Sequence, residues 1–204
     1  MAVIDGLPKS LLQVCEIELI PGQTPVIGEA GPVGSFRRPT ARYQATWTTI
    51  PVRMDGDNFL TIEQFIRDVD TYQNTVRLTD YRRQKRVSHF APLSATPTVA
   101  ASAVAGTTLD VNSSELETLI LRAGARIGVD LGTHHRLYEV MADATTGLGG
   151  DASISLRTPM REDPVDDSDL LLFQADFRLM EPPSINPISN GNARQYTFRF
   201  EEPV

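Results

Sequence analysis

Residues 194–201 read RQYTFRFE, and this short stretch decides the fold that the sequence predicts. Its aromatic residues Tyr196, Phe198 and Phe200 are separated by single polar residues, so all three share one face of an extended chain. Alternation with a period of two is typical of a β-strand that is buried on one side. A closing strand so late in the chain most naturally returns to the first part of the fold. We therefore expect an inserted module between the two.

Two further strong patterns lie in the first half of the chain. The stretch 42–52 alternates like a strand and holds the only tryptophan of the sequence. A helix is predicted over residues 58–72, capped by Asp57 or Asn58, because apolar side chains recur there at steps of three and four residues. The predicted core consists of apolar residues from these three elements: Trp47, Phe59, Ile62, Phe65, Ile66, Tyr196, Phe198 and Phe200.

The composition changes after Pro92, where the stretch 94–108 is made almost entirely of small residues. Short strand candidates separated by glycines follow, together with a short amphipathic helix at about 114–121. The sequence thus predicts a mainly β fold. A β-sandwich or β-roll core with one amphipathic helix is formed by residues 1–93 and 190–204, and a small β-barrel-like module is inserted as residues 94–189. The glycine- and proline-rich stretch 21–40 is predicted to be an arm or loop too broken for regular structure.

Composition excludes several classes of protein. The chain has 204 residues and a net charge of −7, and no apolar run approaches the roughly 20 residues of a membrane helix. Its single cysteine, Cys15, excludes an intramolecular disulfide framework, and the opening MAVIDGLPKS lacks the pattern of a signal peptide. The negative charge argues against a general nucleic-acid binder. Residues 95–204 have a net charge of −8, from eight basic and sixteen acidic side chains, while residues 1–94 have a net charge of +1.

None of the candidate catalytic or metal-binding patterns is complete. His134 and His135 are neighbours, whose side chains would point to opposite faces of a strand. The turn 147–150 precedes a predicted strand, so it offers no helix N-terminus to a phosphate. A cluster of acidic residues lacks the glycine and the closing glutamate of a calcium loop: Glu162, Asp163, Asp166, Asp167 and Asp169. We therefore expect no enzymatic activity, no cofactor and no metal.

The basic run at residues 82–86 has three interpretations. Its charges are Arg82, Arg83, Lys85 and Arg86. They could contact phosphates, because four cations in five residues form a small electrostatic footprint. They could meet an acidic partner surface, including the acidic loop 162–169 of a neighbouring copy. They could also form a solvated turn, which is the usual fate of a short charge run.

Several motifs together resemble those of the tail-tip proteins of long-tailed bacteriophages of the siphovirus type, most closely the distal tail protein class. The likeness spans residues 10–202 and is diffuse, without any single decisive residue. It rests on YQATW at 43–47, DNFLTIEQFI at 57–66, AGTTLDV at 105–111, RLYEV at 136–140, TTGLGGDASISLRTP at 145–159, FRL at 177–179 and YTFRFEE at 196–202.

The resemblance implies a structural virion protein of the phage tail. Copies of such a protein form a ring, usually a hexamer, that joins the tail tube protein to the tail hub and minor tail proteins. DNA only passes through the central channel, and no membrane insertion is implied. One alternative is another minor tail or tube-completion protein. Another is a module that binds saccharide on the host surface, with Tyr138 and His134 or His135 as stacking candidates.

Overall fold

A computed structural model of the chain describes residues 3–20, 23–28, 31–37, 42–69, 74–82, 95–160, 162–188 and 192–203. The fold is mainly β, as the sequence predicts. Its described strands are, in chain order, β1 Val3–Asp5, β2 Leu12–Ile20, β3 Gln23–Gly28, β4 Gly31–Arg37, β5 Arg42–Thr49, β6 Val52–Arg53, β7 Thr75–Thr79, β8 Thr98–Val99, β9 Thr108–Asn112, β10 Leu119–Leu121, β11 Arg126–Asp130, β12 His135–Glu139, β13 Ala144–Thr145, β14 Asp151–Ser155, β15 Leu171–Leu172, β16 Gln174–Leu179, β17 Ser184–Ile188 and β18 Ala193–Glu201.

The largest sheet has eight strands and is centred on β18. Its main path runs β1-β7-β16-β18-β5-β2, and β17 and β6 also pair with β18. All of these pairs are antiparallel except β1 with β7, which is parallel. The predicted closing strand therefore occupies the middle of the sheet, where it hydrogen-bonds to strands from both the beginning and the late part of the chain.

The helix α1, Asp57–Val69, packs its apolar face into the first hydrophobic core. The ring of Phe65 meets the edge of Phe198 with 5.5 Å between ring centroids, and the Tyr196 hydroxyl donates to Glu63 at 2.9 Å. Each fully buried aromatic side chain of this kind contributes on the order of 2–3 kcal/mol. Of the predicted core residues, six are buried and two are partly buried against the same core: Trp47, Ile62, Phe65, Tyr196, Phe198 and Phe200, then Phe59 and Ile66.

The second hydrophobic core lies between residues 99 and 173. It is enclosed by three small sheets, ordered β14-β9-β8, β12-β11-β15 and β10-β13. These sheets are separate and do not close into a barrel within the described residues, which differs from the barrel-like module that the sequence predicts. The cause is the short length of the strands, several of which have only two or three residues.

The structure departs from the sequence prediction in the extent of the inserted module. Strands β16 and β17 fall within the predicted insert 94–189, yet both pair with β18 in the large sheet. Residues 174–188 thus belong to the large sheet, in which β16 lies between β7 and β18, and Ala175, Phe177 and Leu179 alternate into the first core. The insert between the sheet strands β7 and β16 therefore ends at about Phe173.

Two local predictions are also wrong. Within 21–40, strands β3 and β4 form an antiparallel hairpin, even though Pro25 and Pro32 both lie in it, opposite Ser35 and Ile27. Within 114–121, β10 replaces the predicted helix, because Ile120 and Leu121 are both fully buried and a loop precedes them. The main helix begins at Asp57, one residue before the prediction, and the last predicted residues, 70–72, lie outside the described part of the chain.

Candidate functional site

A buried arginine of the second core reaches into the first core. Nη1 of Arg126, in β11, donates to Oδ2 of Asp80 at 2.6 Å and to the carbonyl oxygen of Ile17 at 2.8 Å. Its guanidinium also lies over the Tyr43 ring, 5.0 Å from the centroid. Both charged side chains are almost fully buried, with 5% and 2% exposure. One side chain therefore joins three segments of the first core to the insert.

A second polar cluster lies around Asp176 in β16. Its carboxylate accepts hydrogen bonds from Nε of Arg77 at 3.1 Å, and from the backbone N and Nδ1 of His135 at 2.9 and 3.0 Å. Burial alone would raise the pKa of Asp176, but the hydrogen bonds from His135 and Arg77 outweigh it and lower the pKa to about 2. Because His135 begins β12, this carboxylate also ties the insert to the large sheet.

The carboxylate of Glu202 makes a third link between the same two parts. Oε2 accepts the backbone N–H of Tyr43 at 2.9 Å, and Oε1 accepts the backbone N–H of Leu137 at 3.0 Å. Burial raises the pKa of this side chain, while these two N–H groups and the Arg136 guanidinium oppose the rise. Glu202 follows β18 directly, so the closing strand of the sheet also fastens β12 of the insert.

The backbones of the two parts also approach closely at Gly128. A Cβ atom at this position of β11 would overlap the carbonyl oxygen of Gln174, the first residue of β16. Glycine is the only residue that permits this approach. Together with the three buried polar clusters, the contact fixes the second core on the first. We name this set of contacts the junction.

The structure describes one residue of the predicted basic run and all five residues of the predicted acidic cluster. Arg82 lies beside β2 and pairs with Glu16 at 2.9 Å, with both side chains exposed by about half. The other members of the basic run, Arg83, Lys85 and Arg86, lie outside the described residues. The acidic residues Glu162, Asp163, Asp166, Asp167 and Asp169 are all exposed, on the segment that leads into β15. Within the described residues, the structure brings none of them to Arg82.

Among the described residues, His134 and Cys15 have ordinary structural surroundings. Burial, and next the Arg136 charge, lower the pKa of His134, which leaves its imidazole neutral at pH 7. Burial, and next the Asp80 charge, raise the pKa of Cys15 to about 11, so its thiol is protonated and weakly nucleophilic at neutral pH. In the part of the chain that the structure describes, no three His, Cys, Asp or Glu side chains are grouped as metal ligands.

One of the stacking candidates of the saccharide alternative, Tyr138, is buried. Tyr138 is only 1% exposed and belongs to the second core, so its ring face cannot stack on a sugar. Tyr138 pairs across the sheet with Ile127 of β11, which is fully buried in the same core. His135 is engaged by Asp176, as described above.

Among the described residues, none of the helical segments has the length and hydropathy that a membrane span requires. No protein-family model matches the chain, and a search of curated proteins finds no significant match.

Sequence reasoning missed the residues of the junction. Asp176 and Arg126 each have apolar residues on both sides, in QADFRL and ARIGVD, and a charge between apolar residues of a strand is the one signal that could have marked them. The same stretches also carry Arg178 and Asp130, so this signal does not single out the two junction residues. Their partners could not be identified in the same way. Asp80 is 46 residues from Arg126, and Arg77 is 99 residues from Asp176.

We expect Asp176→Asn to destabilise the protein by about 2 kcal/mol, because it removes the charge that pairs with Arg77 and His135. The folded pKa of this carboxyl is lower than its unfolded value, so its stabilisation is complete above about pH 4 and is lost as the pH falls towards 2. Urea unfolding between pH 2 and pH 7 measures both effects. The exposed Asp166→Asn is the control, with a change under ~0.5 kcal/mol. Equal pH profiles for wild type and Asp176→Asn would contradict this prediction.

We expect Gly128→Ala to destabilise the protein by about 1–3 kcal/mol, since the new methyl group overlaps the Gln174 carbonyl and must push β11 away from β16. Gly106→Ala is the matched control, because a Cβ there has no atom within 4 Å. Urea midpoints of the two variants measure the difference. A Gly128→Ala midpoint as high as that of Gly106→Ala would show that the backbones do not approach as described.

Proposed function

We propose that this protein is a structural virion component of a long-tailed phage, and that its copies form a ring at the tail tip. The ring connects the tail tube to the central hub and surrounds the DNA channel. The observation that carries the proposal is the chain order of the fold: a β core that includes the helix α1, an inserted β region, and a late strand, β18, that returns to the centre of the first sheet. This is the order that the resemblance to distal tail proteins implies.

The junction supports a role in assembly. A closed ring requires contacts between two different surfaces of each copy, held at a fixed rotation. If the two cores moved freely, that rotation would vary and the ring would not close reproducibly. Buried ion pairs at Arg126 and Asp176, and the close backbone approach at Gly128, restrict such motion. The junction thus suits a protein whose role is to hold neighbouring copies at a fixed angle.

The charge distribution is also compatible with a channel for DNA. The net charge is −7, and the excess of acidic residues lies in the second half of the chain. Like charge disfavours the counterion-releasing contacts through which proteins hold duplex DNA. A ring of this protein would therefore let DNA pass without binding it. Tight, salt-sensitive binding of duplex DNA by the assembled protein would contradict this part of the proposal.

Reversal of the basic run tests the assembly. We expect the fourfold change of Arg82, Arg83, Lys85 and Arg86 to Glu to abolish ring formation while the monomer stays folded, because these cations meet acidic groups of a neighbour. Light-scattering mass and negative-stain images of concentrated protein report assembly, and circular dichroism reports the fold.

The control reverses four other exposed arginines, Arg53, Arg67, Arg122 and Arg199, and we expect its rings to persist. Unchanged assembly of the basic-run variant would rule out this role of the basic run. Wild-type protein that stays monomeric at every concentration and salt would count against the ring itself.

A further inference from the structure

Two exposed leucines lie on adjoining loops of the second core. Leu116 is 57% exposed and Leu148 is 80% exposed. Their loops are hydrogen-bonded to each other: Ser113 N donates to the Gly150 carbonyl at 2.8 Å, and Glu117 N donates to the Gly147 carbonyl at 3.3 Å. The Leu116 side chain also lies over Gly150, whose positive φ of 80° shapes the turn. We name residues 113–118 and 147–151 the leucine tip.

The leucine tip is acidic around its apolar centre. Glu117 and Asp151 are exposed and Glu115 is half-buried, and neither 110–121 nor 143–151 contains a lysine or an arginine. Single exposed leucines are common on protein surfaces. Here, however, two exposed leucines lie on adjoining loops and are surrounded by negative charge. Such a surface fits a partner that combines apolar surface with cations.

A cleft on the first core combines apolar surface with cations. It lies beside β2, is open to solvent, has a volume of about 360 Å³, and is lined by apolar and charged side chains. Leu12, Val14 and Tyr81 supply apolar surface, and Lys9 and Arg82 supply the cations. Glu16 also lines the cleft and pairs with Arg82 at 2.9 Å, which leaves Lys9 as the main cation offered to a partner. Nζ of Lys9 stands 5.6 Å from the centroid of the Tyr81 ring, so cation and aromatic surface adjoin. We name this feature the basic cleft.

We propose that the leucine tip of one copy docks in the basic cleft of a second copy. Leu116 and Leu148 enter the apolar part of the cleft, while Glu117 and Asp151 approach Lys9 and the edge that carries Arg82. Because the two surfaces differ and lie on different cores, the contact is heterologous, and its repetition produces a ring or a filament. The inference rests on the proposed ring function and names the surfaces that build it.

The acidic loop 162–169 is a poorer partner for the cleft. Its one large apolar side chain with notable exposure is Val165, at 38%, and Pro164 is buried. The Asp163 carboxylate already accepts the backbone N–H of Ala105 at 2.8 Å. The leucine tip offers two larger apolar side chains and exposed carboxylates. It therefore matches both the apolar and the cationic part of the cleft.

Zero-length cross-linking with a carbodiimide tests the contact. The sequence has only two lysines, Lys9 and Lys85, so few amide cross-links can form between side chains. Equal amounts of unlabelled and ¹⁵N-labelled full-length protein are mixed, cross-linked and digested for mass spectrometry. We expect mixed-isotope peptides that join Lys9 to Glu115, Glu117 or Asp151. Intermolecular links from Lys9 that lead only to residues 162–169, or an absence of such links, would overturn the proposal.

Paired variants separate this contact from other routes to assembly. We expect the double change Leu116→Ser and Leu148→Ser to weaken self-association at least tenfold by light scattering. Leu60→Ser is the matched control, because Leu60 is 62% exposed on α1, and we expect no change. Lys9→Glu should weaken association, and added Glu117→Lys should restore most of it.

The outcomes distinguish the docking from the proposed function. Rings that persist unchanged in the double leucine variant would overturn the docking, while the ring function would stand. Wild-type protein that remains monomeric under all conditions would overturn both. A loss of association by the leucine variant, together with rescue by the charge swap, would support both.

Discussion

The buried guanidinium of Arg126 is the interaction on which the arrangement of the two cores depends. It comes from the insert, and it bonds Asp80, the Ile17 carbonyl and the face of Tyr43, which belong to different segments of the first core. A buried charge without its partner costs several kcal/mol, whereas the complete pair is close to neutral in stability. The pair therefore specifies one docking of the insert more than it adds to stability. Arginine suits this position because its planar, permanently charged group can donate in several directions at once.

The other contacts of the junction repeat this principle with different chemistry. Asp176 binds a side chain from β7 and the start of β12, and Glu202 binds backbone groups of β5 and β12. At Gly128 the constraint is steric, since only a missing side chain allows β11 to reach β16. A tail-tip ring of the proposed kind requires such constraints, because an error in the angle between cores would be repeated in every copy.

Much of the first core could be predicted from the sequence. In β18 and β5 the alternation is visible because one face is buried, and in α1 the apolar spacing shows directly. The rest of the fold could not be predicted from the sequence, because it depends on tertiary contacts. Residues 114–121 carry a helical spacing, yet the loop 113–118 bonds to the turn at Gly147 and Gly150, and Leu121 is buried in β10. The junction was invisible for a related reason: its charges become meaningful only beside partners that lie far away in the chain.

We expect the junction to make the two cores one cooperative unit. Urea unfolding followed at both cores tests it most directly. Fluorescence of Trp47, the single tryptophan, reports the first core, and pulsed hydrogen exchange in β9 and β14 reports the second. We expect both probes to give the same midpoint and the same slope. Loss of protection in β9 and β14 at a urea concentration where Trp47 is still buried would contradict it.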